Sequence, residues 1–109
     1  MVLPFAPGGT ADIIGRPLAQ KLSNNLGQTV IVDNRGGAGG AVGADIVAKS
    51  APDGYTLLLG SSGALTISPN FGTTPYDPMR DFSPIGVVAT SQFVLVVHPS
   101  VQALSLIHI

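Results

Sequence analysis

The chain has 109 residues, 45% of them hydrophobic and 10% charged, enough apolar material to bury the core of one small domain and too much for a disordered chain. Five basic residues against six acidic ones leave a net charge of -1, which gives no electrostatic footprint for nucleic acid or an anionic membrane surface. The absence of cysteine removes disulfides, thiolate metal sites and a cysteine nucleophile, and is silent about the compartment.

Along the chain, Val2-Leu3-Pro4-Phe5 reads as the end of a buried strand, with the start of the domain expected upstream. No apolar run approaches the roughly 18 residues of a membrane span, and residues 1 to 10 lack the basic start and apolar core of a signal peptide. Ala11, Ile14, Leu18, Leu22 and Leu26 recur at helical spacing and predict an amphipathic helix, with Thr10 or Asp12 as its cap and a kink at Pro17. Gly27 stops that helix, and Thr29 to Asp33 is a β-branched run suited to a strand covered on both faces. The turn Gly36-Gly37-Ala38-Gly39-Gly40 then leads into a second helix, Ala41 to Ser50, carrying an Asp45 to Lys49 pair four residues apart. Tyr55 to Gly60 reads as a third strand, ending in Gly60-Ser61-Ser62-Gly63 and a weakly helical Ala64 to Ser68. Pro69 to Pro84 is expected to be an ordered surface connection or a short helical turn around Pro78 to Asp81, followed by two more strands, Ile85 to Ala89 and Phe93 to Val97. Alternating strands and helices predict an α/β fold, three-layered, with a parallel sheet and right-handed crossovers.

Three loops then follow three parallel strands at their carboxyl ends, the side on which open α/β sheets bind ligands. At the first, Gly8 and Gly9 let the backbone approach a ligand, and the helix behind them aims unpaired amides and a positive dipole end at it, which suits an anion. Pro7 and the two glycines are equally what a plain strand-to-helix turn would use; three such loops on one rim favour a ligand. Asp12 is expected in the first helical turn, where it orders the loop and answers the dipole. Ser61 and Ser62 can offer neutral hydroxyl donors to a carboxylate, with simple turn formation as the competing reading. Arg35 could pair with a carboxylate, or equally with Asp33 or solvent.

Other chemistries fit less well. The dinucleotide fingerprint around Gly37-Ala38-Gly39 fails at Val42, and its ribose-binding acid would fall near Gly60, where there is none. No Gly-Lys-Ser/Thr follows a glycine cluster. The third loop is out of register for a nucleophile elbow, and neither His98, before a proline, nor His108 is placed as a base. Two isolated histidines and scattered carboxylates make no metal cluster. An α/β enzyme, as a dinucleotide-dependent oxidoreductase or a serine hydrolase, therefore stands only as the alternative, and no cofactor is expected.

Taken in order, the stretches PFAPGGTAD, VDNRGGAGG, GADIVAKSAPDGYTLLLGSSG, PYDPMRDFSPIGVVA and VLVVHPS resemble the substrate-binding proteins of tripartite tricarboxylate transporters, the Bug or TctC-like family. The resemblance runs to about Gln102, and departs from the family at Gly36, where many members have proline, and at Pro17. It implies one lobe of a bilobed fold like that of type 2 periplasmic binding proteins, truncated at both ends: residues 1–103 a partial first lobe, with 104–109 expected to be a non-native tail. It also implies a periplasmic, non-catalytic protein that captures a small carboxylate for the transporter's membrane subunits, without metal or nucleic acid. By the same resemblance Phe5, Ala6, Gly8, Gly9 and Thr10 of the first loop, with Asp12 closing its motif, and Gly60, Ser61, Ser62 and Gly63 of the third, hold the ligand carboxylate through backbone amides, hydroxyls and bridging waters. A solute sensor would share all these features.

Overall fold

The computed structural model describes residues 1–72, 74–92, 94–101, 105 and 107. Its sheet is built around β1 (Val2–Leu3), which has a parallel neighbour on each side. On one side lies β2 (Asp33–Asn34), with Val2 opposite Asp33 and Leu3 opposite Asn34. Asp33 N–H donates to the Met1 carbonyl at 2.9 Å and Arg35 N–H to the Leu3 carbonyl at 2.8 Å, so this ladder extends past both strand ends. On the other side Val2 N–H donates to the Leu57 carbonyl at 2.7 Å, and the Val2 carbonyl accepts from Leu59 N–H at 3.0 Å, making one parallel bridge with Leu58. Pro4, the next residue to face segment 57–59, has no N–H to give, and pairing stops there.

The expected strands are therefore shorter than their sequence runs. Of residues 29–33 only Asp33 lies in a strand: Val30 N–H turns to Ser23 Oγ at 2.8 Å, and the Ile31 carbonyl accepts from the Met1 ammonium at 2.7 Å. In the 55–60 run only Leu58 is bridged. Residues 85–89 and 94–97 carry no strand pairing among the described residues and are exposed, Val87 at 86% and Val96 at 81%. A β-branched run becomes a strand only where a neighbour accepts its hydrogen bonds. Phe93, which was expected to open the last strand, lies outside the described residues, as do Leu104, Leu106, His108 and Ile109 of the expected tail.

Helix α1 (Thr10–Leu26) runs unbroken through Pro17 and ends on Gly27 in the left-handed region at φ 65°. Pro17 leaves only the Ile13 carbonyl without its i+4 donor, on a face where Ile13 is 69% exposed and water can replace it. The helix buries Asp12, Gly15 and Ala19, while Ile14, Leu18 and Leu22 flank that stripe half-buried. Its closest line of approach thus runs along small residues. A Cβ built on Gly15 would lie 2.6 Å from Leu3 Cδ2, so α1 sits nearly in backbone contact with the β1 side chain.

Helix α2 (Ala41–Ala48) is entered through a tight turn, Ala38–Gly40, and ends two residues short of Ser50. It approaches the sheet through another glycine, since a Cβ on Gly43 would meet Pro4 Cβ at 2.7 Å and the Arg35 carbonyl oxygen at 2.9 Å. Leu3 faces α1 and the adjacent Pro4 faces α2; by strand alternation the helices cover opposite faces of the sheet. The Asp45 carboxylate and Lys49 ammonium meet at 2.7 Å, as the spacing predicts.

The third loop leads into a π-helical turn, Gly63–Ile67, that continues as α3 (Ser68–Phe71), making the weak 64–68 helix longer and wider than expected. Ser68 N–H bonds back to the Gly63 carbonyl, but the next residue, Pro69, has no N–H for the Ala64 carbonyl. Tyr76 fills that gap, its hydroxyl donating to the Ala64 carbonyl at 2.7 Å. Tyr76, Ala44 and Ala64 form the buried cluster, packed by Leu58, Leu65 and Phe82, with the Tyr76 and Phe82 rings edge-to-face at 5.8 Å. The expected turn near Pro78 is present: Asp81 N–H reaches the Asp77 carbonyl at 2.9 Å.

Candidate functional site

The three loops do lie side by side at the carboxyl ends of the parallel segments. The first (5–9) touches the second (35–40): a Cβ on Gly36 would lie 3.3 Å from Ala6 N, and one on Gly40 3.5 Å from Phe5 Cζ. The second touches the third (60–63), because the same Gly40 Cβ would be 3.2 Å from Ala64 Cβ and one on Gly63 3.8 Å from the Gly39 carbonyl oxygen. The middle loop turns through four successive positive φ values, from Gly37 at 139° through Ala38 at 47° and Gly39 at 64° to Gly40 at 100°, a path only a glycine-rich segment follows cheaply.

At the first loop the N-cap of α1 is Gly9, with extended φ and ψ and no side-chain cap, so neither Thr10 nor Asp12 takes the capping position expected of it. The Gly9 carbonyl accepts from Asp12 N–H at 2.9 Å and Ile13 N–H at 3.1 Å. The N–H groups of Thr10 and Ala11 therefore have no intrahelical partner. Ala6, Gly8, Gly9 and Thr10 are exposed and Phe5 is half-buried, its ring against Gly40.

Asp12 is buried, at 7% exposure, and stands at the centre of a polar network. Its Oδ2 accepts from Gly8 N–H at 3.0 Å and from Arg16 Nε at 2.8 Å, and its Oδ1 from Asn34 Nδ2 at 3.1 Å. Asn34 Nδ2 also donates to the Phe5 carbonyl at 3.2 Å, and Arg16 Nη2 donates to Asn34 Oδ1 at 3.2 Å. The Arg16 hydrogen bond, then that of Gly8, hold the Asp12 carboxyl down at about 2 from its ordinary 3.8. Arg16 is raised in turn, chiefly by its bond to Asp12. Asp12 thus orders the loop and stays ionised, with its charge answered by Arg16.

At the third loop, Ser61 Oγ accepts from Ala64 N–H at 3.3 Å and the Ser61 carbonyl from Leu65 N–H at 3.0 Å. Ser62 N–H and Gly63 N–H make no bond among the described residues, and so match Thr10 and Ala11 of the first loop. Ser62 is exposed, Ser61 and Gly63 are half-buried, and the Leu65 side chain folds back across Gly60, whose missing Cβ makes room for it. Arg35 Nε is held by both Asp33 oxygens, at 2.9 and 3.0 Å. A separate open groove of 670 Å³ lies along the C-terminal half of α1, lined by Arg16, Gln20, Ser23, Thr29 and Val30 and by none of the expected ligand residues.

Sequence reasoning missed Asn34 and Arg16. Asn34 stood in plain view inside VDNRGGAGG, an amide closing a β-branched run where such runs usually end in a turn former. Arg16 is one helical turn beyond Asp12, the spacing of an i,i+4 ion pair.

A family model described as the tripartite tricarboxylate transporter family receptor matches residues 14–107. The protein BugT of Bordetella pertussis is 46% identical over 111 residues, covering 97% of this chain and 33% of BugT. The solved structure of MatC from Rhodopseudomonas palustris with bound malate superposes with a TM-score of 0.74 at 37% identity, over 80% of this chain and 30% of that one. Another R. palustris protein, solved with adipate, gives 0.62 at 38% identity over 72% of this chain and 27% of its own. This chain spans about a third of the length of the curated relatives it matches. Five ordered motifs, the parallel α/β architecture and these likenesses agree: the chain belongs to the tripartite tricarboxylate transporter receptor family.

Proposed function

We propose that this chain carries one wall of the binding cleft of a periplasmic receptor that captures a small carboxylate for a tripartite transporter's membrane subunits, without turning it over. The observation that carries the reading is the pair of open N–H sets, Thr10 with Ala11 and Ser62 with Gly63, on loops joined through Gly40. Two helical N-termini with unspent donors suit a single negatively charged group. Phe5, Ala6, Gly8, Gly9 and Thr10 on one side and Gly60, Ser61, Ser62 and Gly63 on the other form the proposed contact, with Asp12 behind it. Malate and adipate, the acids bound by two solved relatives, share carboxylates and little else, which supports recognition of that group by main-chain donors.

Calorimetric titration of the full-length protein with malate, adipate, citrate and benzoate tests the reading. Saturable one-to-one binding of at least one acid, and none of the matching amide, is the expected result. Binding of a nicotinamide cofactor in place of every acid would overturn it.

A further inference from the structure

The network around Asp12 spans two elements and one loop, and its endpoints are specific. Asn34 Nδ2 grips the Phe5 carbonyl at the loop's entry while Asp12 Oδ2 grips Gly8 N–H at its exit. Asn34 Nδ2 also donates to Asp12 Oδ1, and Arg16 donates to both Asp12 and Asn34. Nothing else among the described residues bonds a side chain to 5–9. We infer that Asn34 and Arg16 are positioning residues: from β2 and from the second turn of α1 they clamp the two ends of segment 5–8, and so fix where the Thr10 and Ala11 N–H groups point. The inference rests on the carboxylate-capture reading above.

The physical reason is preorganisation. A loop with Gly8 and Gly9 loses much backbone freedom when it closes on a ligand, and tethering both ends beforehand removes that cost from binding. Asn34 suits the task because one amide supplies two donor bonds and an acceptor at once. Arg16 donates to Asp12 Oδ2 and to Asn34 Oδ1, and so holds in place both side chains that reach segment 5–8. Asn34→Asp keeps the shape and turns the donor into an acceptor facing a carbonyl and a carboxylate, so it should release both ends together.

The test uses the full-length protein in wild-type, Asn34→Asp and Arg16→Gln forms. Arg16 is over half exposed, so its variant keeps the fold even if Asn34→Asp does not. Amide hydrogen exchange of segment 5–10 is read without ligand, and malate and adipate affinity by calorimetry. Expected are faster exchange confined to 5–10, affinity lower by about tenfold for Asn34→Asp and about threefold for Arg16→Gln, as for losing bonds to a charged group, and an unchanged malate-to-adipate ratio. A residue with only a structural role would lower thermal stability without this pattern. Unchanged exchange at 5–10 in both variants, or faster exchange with wild-type affinity, would overturn the clamp and leave the carboxylate reading standing. A wild-type protein that binds no acid overturns both.

Discussion

Replacing Gly43 with alanine tests how α2 is seated. The added Cβ would stand 2.7 Å from Pro4 Cβ, 2.8 Å from Pro4 Cα and 2.9 Å from the Arg35 carbonyl oxygen, where ordinary contact begins at 3.4 Å. Two of those atoms are backbone and the third is in a proline ring, so no rotamer change relieves them. The helix must back away by about 0.7 Å at its third residue, loosening Ala44 against the buried cluster. Alanine brings about 1 kcal/mol of helical preference over glycine. Overpacking against rigid atoms costs about 3 kcal/mol, so a net loss of about 2 kcal/mol is expected. Chemical denaturation of the full-length protein measures it, and affinity for a bound acid should fall as well, because the same shift moves the Gly36 to Gly40 turn. An alanine variant as stable as wild type, or more so, would refute the close-approach argument.

Gly15→Ala meets three side-chain atoms of the buried Leu3, the nearest at 2.6 Å, which can give slightly, so its net cost should be smaller, about 1 kcal/mol. Combined with Leu3→Ala it should cost less than the two single variants added together, measured as a double-mutant cycle. Tyr76→Phe strands the Ala64 carbonyl that Pro69 cannot serve and should cost about 1 to 2 kcal/mol by thermal denaturation. Burial raises the Tyr76 phenol above its ordinary value, so the donor stays protonated and this penalty is flat across neutral pH. Asp12, held at about 2 against an ordinary 3.8, contributes stability that is complete above the ordinary value and lost as pH falls through the folded one. The Gly8 amide resonance should therefore stay constant from neutral pH to about pH 5 and shift as the carboxyl takes its proton near pH 2; a midpoint at 3.8 or higher would contradict the network.

What could be read from the chain was local. The spacing of Ala11, Ile14 and Leu18 marks α1 because a helical period needs no partner to show itself, and the Asp45 to Lys49 pair follows from the same geometry. The strands were overdrawn for the converse reason. Residues 29–31 have β-branched side chains, yet Val30 N–H bonds the Ser23 hydroxyl instead of a strand, and 85–89 have no neighbouring strand among the described residues. The face of α1 was also read one residue off, since hydrophobicity points to Ile14 and Leu18, whereas closeness of approach is decided by Gly15 and Ala19, which carry little apolar signal of their own. Asn34 escaped notice because its partners, Phe5 and Asp12, are 29 and 22 residues away, and the spacing says nothing of contacts that only the parallel register creates.

The ion pairs bear on what kind of recognition is left to the rim. Arg16 is spent on Asp12, Arg35 on Asp33 and Lys49 on Asp45, all within 2.9 Å. Arg16, Arg35 and Lys49 are thus each paired with a carboxylate of this chain, although their side chains remain more than half exposed. On the proposed reading, what this chain offers an anion is oriented main-chain dipoles, which act over short range and reward a carboxylate only when it reaches the N–H groups themselves. Such a site grips one end of a molecule and is indifferent to the rest. Selection among acids that share a carboxylate therefore has to come from groups that meet the ligand's other end. In that proposal the loops on this rim serve as a general anchor, and their value lies in being held still, the task it assigns to Asn34, Arg16 and Asp12.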